Sequence, residues 1–261
     1  MKVLNIEEIK EIQLNILEEV ASFCKMHNLR YTLAYGTLLG AVRHKGYIPW
    51  DDDIDIHMPR PDYEKFIKLY SNAHTSYKVI THEADKRYNM PFAKVHYPAT
   101  IVRELHLKPG VFGVYIDIFP IDALVSPLQA TICAQCKRFL FVKSRIFLKN
   151  MPLQEKARLA LTKLLLLLVP ERLLLWVVKK CMLHREYDSC ELVCSLASRT
   201  AKKEVFPRSM FDNVTMLPFE GKEYCAVEDY HTYLSKQYGD YMQLPPEEKR
   251  ASTHNAVASY K

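Results

Sequence analysis

YGTLLGAVRHKGYIPWDDDIDI (residues 35–56) is the stretch from which the fold can be read. Its end, continued through His57 and Met58, alternates acid and aliphatic, so 53–58 is expected as a strand with Ile54 and Ile56 facing a core. Asp53 and Asp55 then leave the opposite face together, about 7 Å apart along the chain. Asp51, Asp52, Asp53 and Asp55 crowd into five residues and repel one another unless partners or a cation offset them. Strands also disfavour Asp, so a merely solvated strand face explains the run poorly. A carboxylate pair at this spacing suits Mg²⁺, with Mn²⁺ as a substitute, because such an ion leaves its other positions to water and phosphate oxygens.

Upstream, YTLAY (31–35) reads as a short strand that Gly36 interrupts before a short helix over 37–43. Gly36 and Thr37 therefore stand at a helix N-terminus, where free N–H groups and the helix dipole accept phosphate oxygens. Such a junction is commonplace alone and gains meaning from the acids that follow it. Arg43, His44 and Lys45 add positive charge nearby, and Lys94 in FAKV adds more. Gly36, Thr37, Arg43 and Lys94 are the candidate residues for an anionic donor. Downstream, VYIDIFP sets Asp117 between Ile116 and Ile118, repeating the hydrophobic–acid–hydrophobic pattern. Asp117 thus completes a trio with Asp53 and Asp55, expected to hold metal and carry the chemistry, and Asp117 is the better candidate for a base.

An amphipathic helix is expected over 5–27 behind a capping Asn5, and a second over 62–70 after Pro59 and Pro61. Further strands are expected at 77–81, 92–97, 99–104 and 114–119. From about 127 to 200 the pattern turns helical, basic and Leu-rich. A hairpin at 214–227, turning at Glu220-Gly221, and a helix at 228–238 close the chain. The fold class is α/β, with a catalytic core over 1–125, a helical subdomain over 126–205, and a hairpin and helix over 206–261 that complete the core.

The 261 residues, 49% hydrophobic and 25% charged, describe an ordinary globular chain and argue against disorder. Seven cysteines without a regular framework, and an N-terminus without a signal-like apolar run, point to a reducing cytosol. Cys133 with Cys136, and Cys181, Cys190 and Cys194 with His184, are weak zinc candidates beside the simpler reading of buried thiols. The net charge of +6 is uneven: Lys137 to Arg185 holds twelve Lys and Arg against two Glu, a local +10 that leaves −4 for the rest. LALTKLLLLLVPERLLLWVV (159–178) is broken by Lys163, Pro170, Glu171 and Arg172, too soon for a spanning helix. It reads either as a buried helix pair or as a hairpin lying on an anionic membrane surface. Aromatic residues interleaved with basic ones at strand spacing are missing there, which argues against nucleic acid.

Residues 35–56 resemble the signature of the LicD family. YIDIFPID (115–122), LPFEGKEY (217–224) and YLSKQYGDYMQLPPEEKR (233–250) are similar to further motifs of that family. The resemblance implies a nucleotidyltransferase-fold mixed sheet flanked by helices, here with an inserted helical subdomain. It also implies Mg²⁺-dependent transfer of a phosphate-linked alcohol, phosphocholine from CDP-choline in the usual bacterial case, to a glycan or lipid-linked glycan precursor of a cell-surface polysaccharide such as teichoic acid. Transfer of ribitol or glycerol phosphate, nucleotidyl transfer from an NTP, and a glycan-binding scaffold without turnover are the alternatives. The expected location is the cytoplasm, peripheral to the inner face of the membrane.

Overall fold

The computed structural model describes residues 2–73, 75–105, 107–108, 110–148, 151–198, 201–250 and 256–261. Helix α1 (Ile6–His27) opens on a closed capping box. The Asn5 side chain accepts from the Glu8 N–H at 2.8 Å, and the Glu8 carboxylate accepts from the Asn5 N–H at 2.9 Å. Strand β1 (Thr32–Leu33), helix α2 (Tyr35–Arg43), strand β2 (Asp55–Pro59) and helix α3 (Arg60–Tyr70) follow. Strands β3 (Lys78–Ile80), β4 (Ala93–His96), β5 (Thr100–Glu104) and β6 (Tyr115–Ala123) lead into helices α4 (Pro127–Ser144), α5 (Leu153–Leu165) and α6 (Glu171–Met182). Strands β7 (Leu192–Cys194), β8 (Phe206–Pro207), β9 (Val214–Phe219) and β10 (Lys222–Val227), helix α7 (Tyr230–Tyr238) and strand β11 (Ala256–Tyr260) complete the chain.

The main sheet has the order β1-β2-β6-β4-β3, with β7 paired to the far end of β6 and β8 to β7. β2 and β6 run parallel, and the other pairs are antiparallel. This is the expected mixed α/β sheet of the nucleotidyltransferase fold. Ile54 and the β2 and β6 residues Ile56, Met58, Ile116 and Ile118 are all 0% exposed, as are Ile16, Leu17 and Val20 of α1, and all belong to one core. Each such side chain contributes about 1.5–3 kcal/mol on burial, so alternation of acid with aliphatic is enough to orient the strands.

Helices α4 and α6 share a second core with the residues around β7, drawing on Cys133, Leu140, Leu174, Val178 and Leu196. The helical subdomain thus sits on its own apolar cluster and is tied to the sheet through the β6–β7 pair. All seven cysteines are free thiols, and Cys133 and Cys136 lie buried in α4. The hairpin turns at Glu220 and Gly221, whose φ values of 48° and 78° match the right-handed twist of the flanking strands.

Three features differ from the sequence expectation. β2 begins at Asp55 and not at Asp53, because its neighbour β1 leaves the sheet into α2 just beyond the Leu33–Ile56 pair. β7 interrupts a region read as helical, being only three residues long. β11 pairs with β5, away from the main sheet, a contact between segments some 150 residues apart that no local pattern announces.

Candidate active site

Register places the site. Asp55 of β2 faces Asp117 of β6, and Asp117 faces Lys94 of β4, so the three side chains form one row across adjacent strands. All three are nearly buried. The Lys94 ammonium makes an ion pair with the Asp117 carboxylate. Its Nζ also lies 3.4 Å from the centre of the Tyr115 ring, with Phe112 at 5.1 Å and Phe92 at 5.4 Å. A buried ammonium needs such a partner, and the aromatic faces add cation–π attraction.

Helix α2 locks the start of β2. The Asp55 N–H donates to Thr37 Oγ1 at 2.8 Å, and the Ala34 N–H donates to the Asp55 carbonyl at 3.0 Å. Thr37, read from sequence as a donor-binding residue, is buried, and its hydroxyl is engaged in holding the strand. At Gly36 a Cβ would lie 2.3 Å from Asp51 Oδ2, so the Asp51 carboxylate packs directly on the backbone at the α2 N-terminus. The helix dipole favours an anion there. Tyr35 adopts φ 45°, a left-handed conformation in which the chain turns from strand into helix.

Burial raises the Asp55 carboxyl well above the ordinary carboxylate range, the charges of Asp53, Asp117 and Asp51 raise it further, and Lys94 opposes them. The carboxylates therefore crowd one another at Asp55, and Lys94 works against that crowding. Arg43 stands at the other end of α2, about 10 Å along the axis from Gly36. There its guanidinium donates to the Tyr241 carbonyl at 2.6 Å and to His44 Nε2 at 3.0 Å. The structure thus gathers Asp55, Asp117, Lys94, Thr37 and Gly36, sets Asp53 just ahead of the strand, and holds Arg43 apart against the C-terminal segment.

Behind the row lies a layer that residue-by-residue reading passed over. His57 continues the period-2 face of Asp53 and Asp55, which was the available signal. It is buried edge-on to Tyr35 at 4.8 Å, with Phe119, Phe211 and Tyr233 around it. Neither ring nitrogen has a hydrogen-bond partner, and burial pushes its pKa down to about 3, so the imidazole is neutral. The Tyr35 hydroxyl donates to Glu204 Oε2 at 2.7 Å, drawing the end of the helical subdomain against the start of α2.

Crowded hard oxygen donors fit a divalent cation, and Asp53, Asp55 and Asp117 are the residues that would hold one. Among the described residues, however, no three His, Cys, Asp or Glu side chains converge as a ready ligand set. Part of the reason is visible, because Lys94 already engages Asp117.

The mixed sheet with a carboxylate row beside a strand–helix junction has the form of the nucleotidyltransferase fold. Residues 28–140 match the family described as LicD/FKTN/FKRP, nucleotidyltransferase domain. The chain is 31% identical over 263 residues to the lipopolysaccharide cholinephosphotransferase LicD of Haemophilus influenzae, covering 97% of each protein. Over 70 residues, 26% of this chain and 23% of the relative, it is 40% identical to an uncharacterised protein of Rickettsia typhi. The chain belongs to the LicD/FKTN/FKRP family.

Proposed function

We propose that the protein transfers a phosphate-linked alcohol, phosphocholine in the first instance, from a CDP-activated donor to a sugar hydroxyl of a cell-surface glycan precursor, releasing CMP. The observation that carries this reading is the Asp55–Asp117–Lys94 row, in a chain that matches a cholinephosphotransferase from end to end. A catalytic core of residues 1–125 and 206–261 would act with the helical insertion 126–205 beside it.

The acceptor oxygen forms a bond to the alcohol-bearing phosphorus while the bond from that phosphorus to the CMP oxygen breaks. The hydroxyl proton passes to a carboxylate of the row. Divalent metal held by Asp53, Asp55 and Asp117 would neutralise the diphosphate charge. Lys94 holds Asp117 in place, Thr37 fixes the backbone of Asp55, and Gly36, against which Asp51 packs, is where a donor phosphate would have to displace that carboxylate. Because little covalent chemistry falls to the protein, positioning supplies most of the rate. The work is expected in the cytoplasm, where a soluble donor meets a lipid-linked acceptor at the inner face of the membrane.

The test is a donor panel of CDP-choline, CDP-ribitol, CDP-glycerol and CTP with Mg²⁺, read by melting temperature and by product. Stabilisation by CDP-choline and release of CMP on adding a glycan acceptor are expected. Pyrophosphate release from CTP would replace this reading with nucleotidyl transfer, and a response to CDP-ribitol or CDP-glycerol alone would change the alcohol.

A further inference from the structure

Helix α5 is built inside out. A surface helix of a globular protein buries its apolar stripe, yet α5 buries one side chain, Leu159. Leu153, Ala157, Leu161, Leu164 and Leu165, spaced to share one helical face, are all exposed. The stripe continues into the turn before α6, where Leu167 is 71% and Leu168 90% exposed, and onto Leu173 and Trp176 at 48% and 57%. Of the two readings of this stretch, a buried pair holds for α6, whose Leu174, Leu175 and Val178 enter the second core, and fails for α5. Exposed apolar patches of this extent mark contact surfaces. No helix among the described residues is long and apolar enough to cross a membrane.

Charge decides the occupant. Between Leu153 and Arg185 there are seven Lys and Arg against Glu155 and Glu171. Glu155 is paired with Arg145, and Glu171 with Lys108, so both acids are already neutralised by residues outside the segment. Lys179 in turn pairs with Glu83, while Arg158, Arg172, Lys180 and Arg185 are exposed. Leucines and a tryptophan beside these exposed cations fit an anionic bilayer, with the apolar groups among acyl chains and the cations at the head groups. Helix α6 reaches toward the main sheet, since Arg172 and Trp176 line a cavity of about 360 Å³ whose other wall includes Phe92, two residues before Lys94.

We propose that the exposed face of α5, the 166–170 turn and the first turns of α6 form a docking surface for an anionic lipid bilayer. The surface deepens the proposed function by bringing the site to a membrane-borne acceptor, but its binding needs no turnover. The experiment is co-sedimentation of the full chain with phosphatidylglycerol-containing vesicles and with phosphatidylcholine vesicles. Binding to the anionic vesicles is expected, reduced about tenfold on raising salt from about 0.05 to about 0.5 M. Leu165→Ser/Leu168→Ser and Arg158→Glu/Arg172→Glu should each weaken it about tenfold while melting temperature holds, because all four side chains are exposed. Absence of binding at low salt, or equal binding to neutral vesicles, overturns the proposal. So does concentration-dependent self-association abolished by the leucine variant, which would make the face a contact between copies. Loss of donor turnover with vesicle binding intact would count against the proposed reaction and leave the surface standing.

Discussion

Lys94 and Asp117 are register partners across β4 and β6, and the ammonium of the first closes on the carboxylate of the second while resting over the Tyr115 ring. Lys94→Met breaks the buried ion pair with Asp117 and removes the cation that opposes the acids crowding Asp55. Transfer should fall at least about 100-fold, and unfolding by denaturant should show a loss of about 3–5 kcal/mol. Lys94→Met/Asp117→Leu should regain most of the stability and none of the activity. A double variant as unstable as the single one would show that the pair is not the source.

Asp53→Asn, Asp55→Asn and Asp117→Asn should each abolish transfer in a folded protein. Asp55→Asn removes a buried carboxyl crowded by three acids, so without divalent ions its melting temperature should rise, by about 2 °C or more. Added Mg²⁺ should raise the melting temperature of the natural protein and leave that of Asp55→Asn nearly unmoved. A full Mg²⁺ response in that variant would remove Asp55 from metal binding.

Thr37→Val deletes the acceptor for the Asp55 N–H while keeping the shape of the side chain. A buried N–H without a partner costs about 1–3 kcal/mol, and Thr37→Ser should recover it. Denaturant midpoints of the two variants compare them directly. Equal midpoints would mean that the hydroxyl does not hold the strand.

Gly36→Ala places a methyl group where Asp51 Oδ2 now sits. The carboxylate must move, so donor affinity should drop about tenfold, while the melting temperature changes little because Asp51 is only partly buried. Titration with CDP-choline measures the first quantity. Unchanged affinity would place the phosphates elsewhere.

His96 is buried, its Nδ1 accepts from the Gly113 N–H at 3.0 Å, and burial, helped by the Lys261 charge, pushes its pKa from 6.5 down to about 4. The unfolded chain takes up this proton first as pH falls, so its contribution to stability is whole above 6.5 and drains away between 6.5 and about 4. Within that window the slope should be about 1.4 kcal/mol per pH unit. His96→Asn, which can keep an acceptor near Nδ1, should flatten the profile there by that amount. Identical profiles would show that His96 titrates normally.

Sequence by itself determined the elements that rest on local rules. Asn5 with Glu8 determined the start of α1, Glu220-Gly221 the hairpin, and the alternation around Asp55 and Asp117 the faces of β2 and β6, because each depends on the geometry of a few neighbouring residues. Tertiary structure alone decided which acids meet and what meets them. Strand order brings Lys94 from 23 residues away onto Asp117 and turns it from a surface cation into a buried partner. The same packing gives Thr37 to Asp55, seats Asp51 against Gly36 and sends Arg43 to the C-terminal segment. It also turns the leucines of α5 outward, since hydrophobic periodicity defines a face but not what that face will touch.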